Sequence, residues 1–435
     1  MPTIETRILL LLEKWLTFQS YPTSGTNDQQ AILDFTLEHC LKAGFLVKKV
    51  NDLVGWAQIG EQGPLIGFPV HLDVVPPGEG WTVPPFQLTQ DQDFYYGRGI
   101  YDNKGPAAMM LLLTQELEAM IKDQGVRVRL IFGTQEETGM ACIQEYVHQE
   151  EMPVYGFVPD ALFPAVLGEK GRLHLRLTKK EAIPWLTNFS SGEQVNSVPD
   201  QAKMLVDHKA NLSRFDFSQV EENGQNHFLA RGLAAHGSKP TAGVNAAFRL
   251  LKSIPEYQLS EGIQQILQLD TPDMNGQKIG LSAPDERFGD TTINLGITNY
   301  ENSQWTIELD VRFGTGLTKE AVVHTIQQAF YNWTLETINE KPCHLVEQNN
   351  LIHQLIANFH QFYPEEELTP VYMGGGTYAS YFPGFISYGP KLANVRTFAH
   401  GKDERMNKTV FQQTIKIYRE ALKILVFAAK EKKHE

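Results

Sequence analysis

Short apolar runs alternate with amphipathic segments along the first part of the chain. The runs at 65–70, 126–133 and 154–158 predict buried strands, since each is brief and largely apolar. The segments 28–43 and 104–120 have the apolar spacing of helices. This alternation predicts an α/β fold in which a mostly parallel mixed sheet is flanked by helices.

The pattern changes after Gly168. Leu173, Leu175 and Leu177 alternate with polar residues, and the stretch 305–311 has the same period of two. Half-solvated antiparallel strands have this period, because successive side chains point to opposite faces of a sheet. The later part therefore predicts a second sheet of a different kind.

The two patterns divide the chain into two domains, as its length of 435 residues also suggests. Helical patterns at 245–254 and 319–331 accompany the alternating strands, and helix-strand alternation returns from about 350. We predict one domain from 1–170 and 347–435. An inserted α+β domain with an antiparallel sheet would cover 171–346.

Composition narrows the possible partners and location. A formal net charge of −13 argues against nucleic acid or an anionic membrane as a partner. Cys40, Cys142 and Cys343 are far apart and in no metal-binding spacing, which is typical of reduced thiols in a cytoplasmic protein. No apolar run approaches the ~20 residues that a bilayer requires. The N-terminal apolar residues have helical spacing, so we predict an amphipathic helix there and no signal peptide.

Imidazole and carboxylate groups occur where the predicted strands of the first domain end. The residues concerned are His71, Asp73, Asp102, Glu136, Glu137 and Asp160. Side chains beyond the carboxyl ends of neighbouring strands meet at one edge of a sheet. Carboxylates and imidazole without thiolate suit Zn, Mn or Co, and bridging carboxylates suit a pair of ions. Each residue alone could be a solvated loop residue, but the ordered set favours a metal site.

The motifs resemble those of a known enzyme family. The order H-x-D at 71–73, G-x-G-x-x-D-x-K-G at 97–105, E-E-x-G at 136–139 and P-D at 159–160 resembles the co-catalytic zinc metallopeptidases of aminoacylases, carboxypeptidases and dipeptidases (M20-type). Longer matches, among them 374–379, are most similar to the bacterial PepV-type dipeptidases. The resemblance covers nearly the whole chain.

The resemblance implies a dinuclear metal centre. His71 and Asp160 would be terminal ligands, one to each metal ion, and Asp102 would bridge the two through a cis Asp102–Asn103 peptide. Glu137 and a late histidine, His400, would complete the ligands. The ions would be Zn2+, with Mn2+ or Co2+ as alternatives.

The resemblance also implies catalytic roles. Glu136, which binds no ion, would be the general base for the metal-activated water. Asp73 would fix the tautomer of the His71 ring. His236 in the inserted domain would donate to the oxyanion of the intermediate; the alternative is a capping or core histidine.

Further residues would bind a small peptide substrate. Arg312 would pair with its terminal carboxylate, unless it forms only a surface ion pair with Asp310. Asn196 would lie near the substrate, or would only end a strand before Pro199. Gly375, Gly376 and Thr377 belong to a turn that would supply backbone amides.

One position departs from the family pattern. An arginine usually follows G-G-G-T-Y-A, but here Ser380 follows Ala379. In the family this arginine lies near the carboxylate of the substrate. Here Arg312 or Lys391 would take over that role, with Arg287, Arg396 and Lys402 as further candidates.

The expected activity is hydrolysis of dipeptides that have a free amino terminus. Aspartate at the position of Asp160 resembles the aminopeptidase and dipeptidase members, whereas carboxypeptidases and desuccinylases have glutamate there. The alternatives are an N-acyl-amino-acid deacylase or desuccinylase, and a binding protein that has lost catalysis. The insert is larger than the lid of about a hundred residues in dimeric members. This size favours a monomer with a self-contained lid.

Overall fold

The computed structural model describes residues 2–207, 220–222 and 226–431. They form two compact units. The first comprises Met1–Gly168, His344–Tyr372 and Gly376–Glu435, and the second comprises Glu169–Cys343 with Met373–Gly375. These limits lie within a few residues of the domain boundaries predicted at 170 and 346. The short segment 373–375 belongs to the second unit, although the residues on both sides of it in sequence belong to the first.

Each predicted helical segment contains a helix, with shifts at its ends, and the described residues also form helices that the sequence pattern did not predict. They are α1 (Ile4–Trp15), α2 (Asp28–Lys42), α3 (Lys104–Glu116), α4 (Glu118–Gln124), α5 (Ala141–Gln149), α6 (Ala246–Lys252), α7 (Glu261–Leu267), α8 (Lys319–Ala329), α9 (Asn350–Phe362) and α10 (Lys408–Glu431). The single helix predicted over 104–120 is wrong, because the backbone leaves helical geometry at Leu117 (φ −95°, ψ 12°). The chain then starts α4, which buries Ile121.

The strands of the N-terminal part include three that end at or just before predicted site residues. They are β1 (Leu46–Lys49), β2 (Val54–Ile59), β3 (Leu65–His71), β4 (Thr89–Gln90), β5 (Phe94–Tyr96), β6 (Arg127–Gly133), β7 (Tyr155–Val158), β8 (Ala161–Leu162) and β9 (Val166–Glu169).

The remaining strands include the long alternating ones. They are β10 (Gly171–Lys180), β11 (Leu186–Ser191), β12 (Gln201–Val206), β13 (Val220–Glu222), β14 (His227–Arg231), β15 (Thr292–Glu301), β16 (Gln304–Phe313), β17 (Thr334–Lys341), β18 (His344–Leu345), β19 (Val371–Met373), β20 (Ile386–Ser387), β21 (Pro390–Lys391) and β22 (Arg405–Asn407).

The first unit is built on a mixed sheet with parallel strands at its centre. The strand order is β1-β2-β6-β3-β7-β20-β9-β18. Strand β3 runs parallel to both β6 and β7, and β7 runs parallel to β20. The predicted fold class, a mostly parallel mixed sheet with helices, is confirmed for this unit.

Both faces of that sheet are covered. Leu130 and Phe132 of β6 belong to the large core, which includes buried residues of α1, α3 and α10. Ile131, between them, belongs to a separate core together with Ile143 of α5. Alternate residues of a strand point to opposite faces, so the central strands bury apolar residues on both faces. Within β6, Arg129 is also buried and donates to Gln58 and Tyr146.

The second unit contains the predicted antiparallel sheet and its own core. The order is β13-β14-β12-β11-β15-β16-β10-β17. Strands β10 and β16 pair antiparallel from Gly171 with Phe313 to Lys180 with Gln304. Leu173, Leu175 and Leu177 are buried in its core, as the period of two predicts. Among the described helices, none combines the length and the apolar character needed to cross a bilayer.

Candidate metal centre

The predicted ligands follow three neighbouring strands of the first unit. His71 is the last residue of β3, Glu136 and Glu137 follow β6, and Asp160 follows β7. Because these strands are parallel neighbours in the order β6-β3-β7, their carboxyl ends lie at one edge of the sheet. The topology therefore brings together residues that lie far apart in sequence.

Within the described residues the potential ligand atoms form three groups of three. One comprises His71, Glu136 and Glu137, and the other two share Asp102. His71, Asp102 and Asp160 form the first trio, and Asp102, Glu137 and His400 form the second; within each trio the ligand atoms lie within 4.8 Å of one another. The Oδ1 atom of Asp102 lies 3.1 Å from His71 Nε2, whereas its Oδ2 atom lies 3.3 Å from His400 Nε2. One carboxylate thus presents one oxygen to each trio.

This grouping differs from the expected one at His71 and Asp160. We expected them to bind different ions, but His71 Nε2 lies 3.4 Å from Asp160 Oδ2 in the same trio. The cause is the strand order, in which β7 is a direct neighbour of β3. Glu137 and His400 belong to the other trio, together with Asp102.

The His71 ring is held by the segment that follows it. His71 Nδ1 lies 2.9 Å from the backbone oxygen of Asp73 and 3.5 Å from its Oδ1. A proton on Nδ1 would be donated to that carbonyl, which leaves the Nε2 lone pair directed at the first trio. Asp73 thus orients the ring as expected, but mainly through its backbone.

The Asp73 carboxylate binds the backbone of the segment that follows β6. Its Oδ1 accepts a hydrogen bond from the Glu136 backbone N–H, and its Oδ2 accepts one from that of Glu137, both at 3.1 Å. Asp73 is fully buried. It therefore fixes the segment that carries the predicted base and a predicted ligand.

The loop that carries Asp102 is held by Glu404, which the sequence analysis missed. Glu404 Oε1 accepts hydrogen bonds from the backbone N–H groups of Tyr101 (3.0 Å) and Asp102 (3.2 Å). Its Oε2 pairs with Arg98 Nη1 at 2.6 Å and accepts from the Gly99 N–H. The Asp102–Asn103 peptide is cis, as the resemblance implied.

Asn103 is a second residue that the sequence analysis missed. Its Oδ1 accepts from the His71 backbone N–H (3.3 Å), and its Nδ2 donates to the backbone oxygen of Pro159 (2.6 Å). One buried amide thus joins the ends of β3 and β7 to the loop of Asp102. Its only sequence signal was its place in the Asp102–Gly105 motif.

His400 lies in a loop of unusual backbone geometry. His400 has φ 62°, and Phe398 and Asp403 also have positive φ values (58° and 55°). Such conformations are costly for residues other than glycine and persist where the surroundings fix them. Arg98 Nη2 donates to the backbone oxygen of Gly401 at 2.9 Å, so Arg98 binds both this loop and Glu404.

Charge in the pocket shifts several pKa values. Burial and the charge of Asp102 raise the pKa of Asp160 to about 6, although His71 opposes them. Burial lowers the pKa of His400, but the carboxylates of Asp102 and Glu137 raise it to about 11. Burial also raises the pKa of Glu136 well above its usual value, with contributions from Asp160 and Glu137 against the effect of His71. Asp160 and Glu136 therefore hold protons more tightly than isolated carboxylic acids do, and divalent cations would relieve the repulsion among the carboxylates.

A lysine lies beside the shared carboxylate. Lys391 Nζ is 3.2 Å from Asp102 Oδ2. Burial would raise the pKa of Asp102, but Lys391 and the imidazoles lower it well below its usual value. Burial lowers the pKa of Lys391, but Asp102 and Asp160 raise it above its usual value.

The donor set is suitable for divalent cations. Among the described residues, two imidazoles and three carboxylates converge in the two trios, and such donors suit Zn2+, Mn2+ and Co2+. Within the described residues no hydrogen bond reaches the buried Oε1 of Glu137, although His400 Nε2 lies 3.0 Å away. A buried carboxylate oxygen normally has a partner, and a cation in the second trio would supply one.

The second unit brings together its own predicted residues. The backbone oxygen of Asn196 accepts from the Gly237 N–H at 2.6 Å, next to His236. Arg312 forms an ion pair with Asp310 (Nη2 to Oδ2, 2.8 Å) and donates from Nη1 to the Gly374 oxygen at 2.7 Å. The pair with Asp310 exists, but it is buried and not the surface pair considered as the alternative.

His236 is exposed and has a defined ring orientation. Its Nδ1 accepts a hydrogen bond from the Ser238 backbone N–H at 3.2 Å and lies 2.7 Å from Ser238 Oγ. An acceptor at Nδ1 places the proton of a neutral ring on Nε2. Neither a core position nor a helix cap describes this residue, and Nε2 has the hydrogen that a donor needs.

The glycine-rich turn is divided between the two units. Gly375 belongs to the second unit, where its backbone oxygen lies 3.4 Å from Lys341 Nζ. Gly376 and Thr377 belong to the first, and Thr377 Oγ1 accepts from the Ala379 N–H. Ser380, in place of the family arginine, donates to the Thr377 oxygen at 3.1 Å and so has a local structural role.

The sequence profile described as "Peptidase family M20/M25/M40" matches residues 67–424. The chain belongs to this family. It is therefore a peptidase of family M20, as the resemblance implied.

Individual relatives agree with this membership. The Bacillus subtilis protein YtjP, provisionally named a dipeptidase, is 30% identical over 418 residues, which are 90% of this chain and 89% of YtjP. A metallo-carboxypeptidase of the M20 family from Sulfolobus solfataricus has a similar fold, with a TM-score of 0.61 and 16% identity over 97% of this chain and 99% of its own. The Bacillus subtilis protein YXEP, described as a dinuclear metal-binding M20 peptidase, has a TM-score of 0.52 and 12% identity over 98% of each chain.

The role of Asp73 can be tested by Asp73→Asn. Asparagine keeps the shape but turns an NH2 group toward one of the two backbone N–H groups that the carboxylate binds. We expect divalent-metal affinity and peptidase activity to fall by about ten- to hundredfold. Bound metal after equilibrium dialysis and peptide hydrolysis measure the two effects.

Asp91→Asn is the matched control, because Asp91 Oδ1 also binds two backbone N–H groups, those of Asp93 and Phe94, in an exposed turn. It should retain metal and activity. An Asp73→Asn protein that does the same would show that the carboxylate does not position the Glu136–Glu137 segment.

Proposed function

We propose that this M20 peptidase is a dipeptidase that depends on two divalent cations. The observation that carries the proposal is the pair of trios that share Asp102, one oxygen facing each. The first trio would hold one ion through His71 and Asp160, and the second would hold the other through Glu137 and His400. Zn2+ is the expected ion, with Mn2+ or Co2+ as alternatives.

Bound ions would supply Lewis acidity that lowers the pKa of a water molecule and polarises the scissile carbonyl. Glu136 lies with His71 and Glu137 in the remaining group, outside the two trios that share Asp102, so its carboxylate would be available for proton transfer. It would take a proton from water and deliver it to the leaving amine. The water oxygen would bond to the carbonyl carbon to give the tetrahedral oxyanion, and the C–N bond would then break as the leaving nitrogen takes the proton held by Glu136.

Substrate preference for dipeptides is supported by two observations. Relatives such as YtjP are provisionally named dipeptidases. Asp160, in place of a glutamate, also resembles the aminopeptidase and dipeptidase members of the family. We propose that Asn196, Arg312, Gly375, Gly376 and Thr377 contact the substrate, and that the protein acts in the cytoplasm on small peptides without a nucleic-acid or membrane partner.

The second unit would act as the lid. We propose that His236 donates its Nε2 hydrogen to the oxyanion, and that the enlarged insert lets one chain act as a monomer. The Nδ1 contacts with Ser238, which leave the hydrogen on Nε2, support the donor role.

A substrate panel tests the reaction. Purified protein supplied with Zn2+, Mn2+ or Co2+ in separate reactions is given dipeptides with a free amino terminus and matched N-acetyl and N-succinyl amino acids. We expect faster turnover of the dipeptides. Faster turnover of the acylated set would establish a deacylase or desuccinylase instead, and no turnover with both ions bound would favour a binding protein.

The base is tested by Glu136→Ala. Removal of the positioned base should lower kcat by about a thousandfold and leave the metal content nearly unchanged, because Glu136 belongs to neither of the two trios that share Asp102. Glu137→Ala should lose metal, and Glu61→Ala, at an exposed site, should change neither. If Glu136→Ala loses its ions while Glu137→Ala keeps them, the two roles are reversed.

The lid is tested by His236→Ala. It should lower kcat far more than it raises KM, because an oxyanion exists only beyond the ground state. Mixing His236→Ala with Glu136→Ala protein should restore no activity if each chain supplies its own lid. Recovered turnover would contradict the monomer and indicate lids shared between subunits.

A further inference from the structure

The face of the antiparallel sheet that points away from its core has a row of cations at one end. Leu173 of β10 is buried in the core of the second unit, so Arg172, its neighbour in sequence, lies on the opposite face. Arg172 is paired in register with Arg312 of β16 on one side and with Lys341 of β17 on the other. We call these three residues the cationic row. Like charges directly opposite each other are unfavourable, so such a row needs anions beside it.

The predicted substrate residues of the second unit lie next to this row. Asn294 of β15 is paired in register with Asp310 of β16. From Nδ2 it donates to the backbone oxygens on both sides of Asn196, at 2.8 and 2.9 Å. The residue after Asn196 forms a β-bridge with His236. The segments that carry Asn196 and His236 therefore lie near Asp310, which pairs with two members of the row.

Two members of the cationic row have partners for their charged ends. Arg312 donates from Nε and Nη2 to Asp310 and from Nη1 to the backbone oxygen of Gly374, and only 4% of its side chain is exposed. Lys341 pairs with Glu169 at 3.1 Å and is also buried. Both charged ends are therefore buried and engaged.

Arg172 differs from both. Its Nε donates to Asp310 Oδ1 at 2.7 Å, and 28% of its side chain is exposed. Among the described residues, none accepts a hydrogen bond from its Nη1 or Nη2 group. Burial would raise the pKa of Asp310, but Arg312 and Arg172 lower it, so this carboxylate is ionised. One negative charge thus serves two guanidinium groups, and the accessible end of Arg172 is left without an anion.

We propose that Arg172 binds the C-terminal carboxylate of the dipeptide, beside Arg312, in place of the family arginine that is absent at Ser380. This inference rests on the proposed dipeptidase function. Asp310 fixes the guanidinium at Nε, so the two terminal amino groups of Arg172 have a defined orientation. A planar guanidinium held in this way binds a carboxylate through two parallel hydrogen bonds.

The sequence alone does not single out this residue. Arg176 lies on the same strand and the same face, and only the neighbours across the sheet distinguish Arg172 from it. Lys391, one of the residues considered from sequence for this role, is engaged with Asp102 at 3.2 Å. The role therefore has a stronger structural basis at Arg172 than at Lys391.

The test compares a dipeptide with its C-terminal amide, using the full-length protein and the cation that supports turnover. The dipeptide is the one that is hydrolysed fastest in the substrate panel. We expect kcat/KM of the unaltered protein to be about a hundredfold higher for the free acid, because the amide has no charge for Arg172 to bind. Arg172→Gln has an amide nitrogen at the position of Nε, so it keeps the contact with Asp310 and loses the charged end. It should raise KM for the free acid by about ten- to hundredfold and change KM for the amide by less than about threefold.

A matched control tests whether the effect depends on position. Arg176 Nε donates to Glu308 Oε1 at 2.9 Å on the same face of β10, as Arg172 Nε does to Asp310. Arg176→Gln should leave both KM values unchanged. Arg172→Lys, which keeps a charge without the planar fork, should recover part of the preference for the free acid. Should Arg172→Gln fail to fold, as judged by circular dichroism, Arg172→Met has the same expected result.

An equal loss of activity on the free acid and on the amide in Arg172→Gln would overturn the proposal, because it would indicate a structural role. A preference for the free acid that Arg172→Gln leaves unchanged would also overturn it and would leave the carboxylate to Arg312. If the unaltered protein hydrolyses no dipeptide, the proposed function fails and this inference fails with it. Dipeptide hydrolysis with a preference that does not depend on Arg172 contradicts this inference alone.

Discussion

Mutual repulsion among buried acidic groups is the constraint on which the first unit depends. Asp102, Asp160, Glu136 and Glu137 converge at one edge of the sheet, with Asp73 buried beneath them. Carboxylates in such a place are stable only with cations or protons. The raised pKa of Asp160 and of Glu136 and the lowered pKa of Asp102 show how unevenly that need is met within the protein.

The surrounding structure holds these groups together against their repulsion. Asp73 binds the backbone of the Glu136–Glu137 segment, Glu404 binds the backbone at Asp102, and Asn103 joins β3 to the end of β7. All three are buried polar side chains whose partners are mainly backbone groups. These hydrogen bonds fix the backbone of the segments from which the ligand side chains project, and so help to position the ligands.

Much of this arrangement could be predicted from sequence, and its limits have physical causes. The apolar runs that precede His71 and Asp160 predict strands. The histidine and carboxylates at the ends of such runs indicate a metal site. Strand neighbours are not encoded in that pattern, so the grouping of His71 with Asp160 could not be derived from it. The contacts of Glu404 and Lys391 with Asp102 join residues that are about 300 positions apart in the chain. At that separation, the spacing of residues in sequence does not predict a contact. The break at Leu117 was missed because apolar residues continue across it.

The first unit is discontinuous in sequence, and this has a consequence for synthesis. His400 and α10 lie in its last segment, and Tyr418 of α10 packs against Phe157 of β7 at a ring-centroid distance of 5.6 Å. The sequence of the second unit lies almost entirely between Asp160 and that segment, so it is synthesised before His400. A nascent chain therefore carries five of the six residues predicted as ligands or base of the metal centre through synthesis of the second unit. The predicted set gains its last member, His400, only after the second unit has been made.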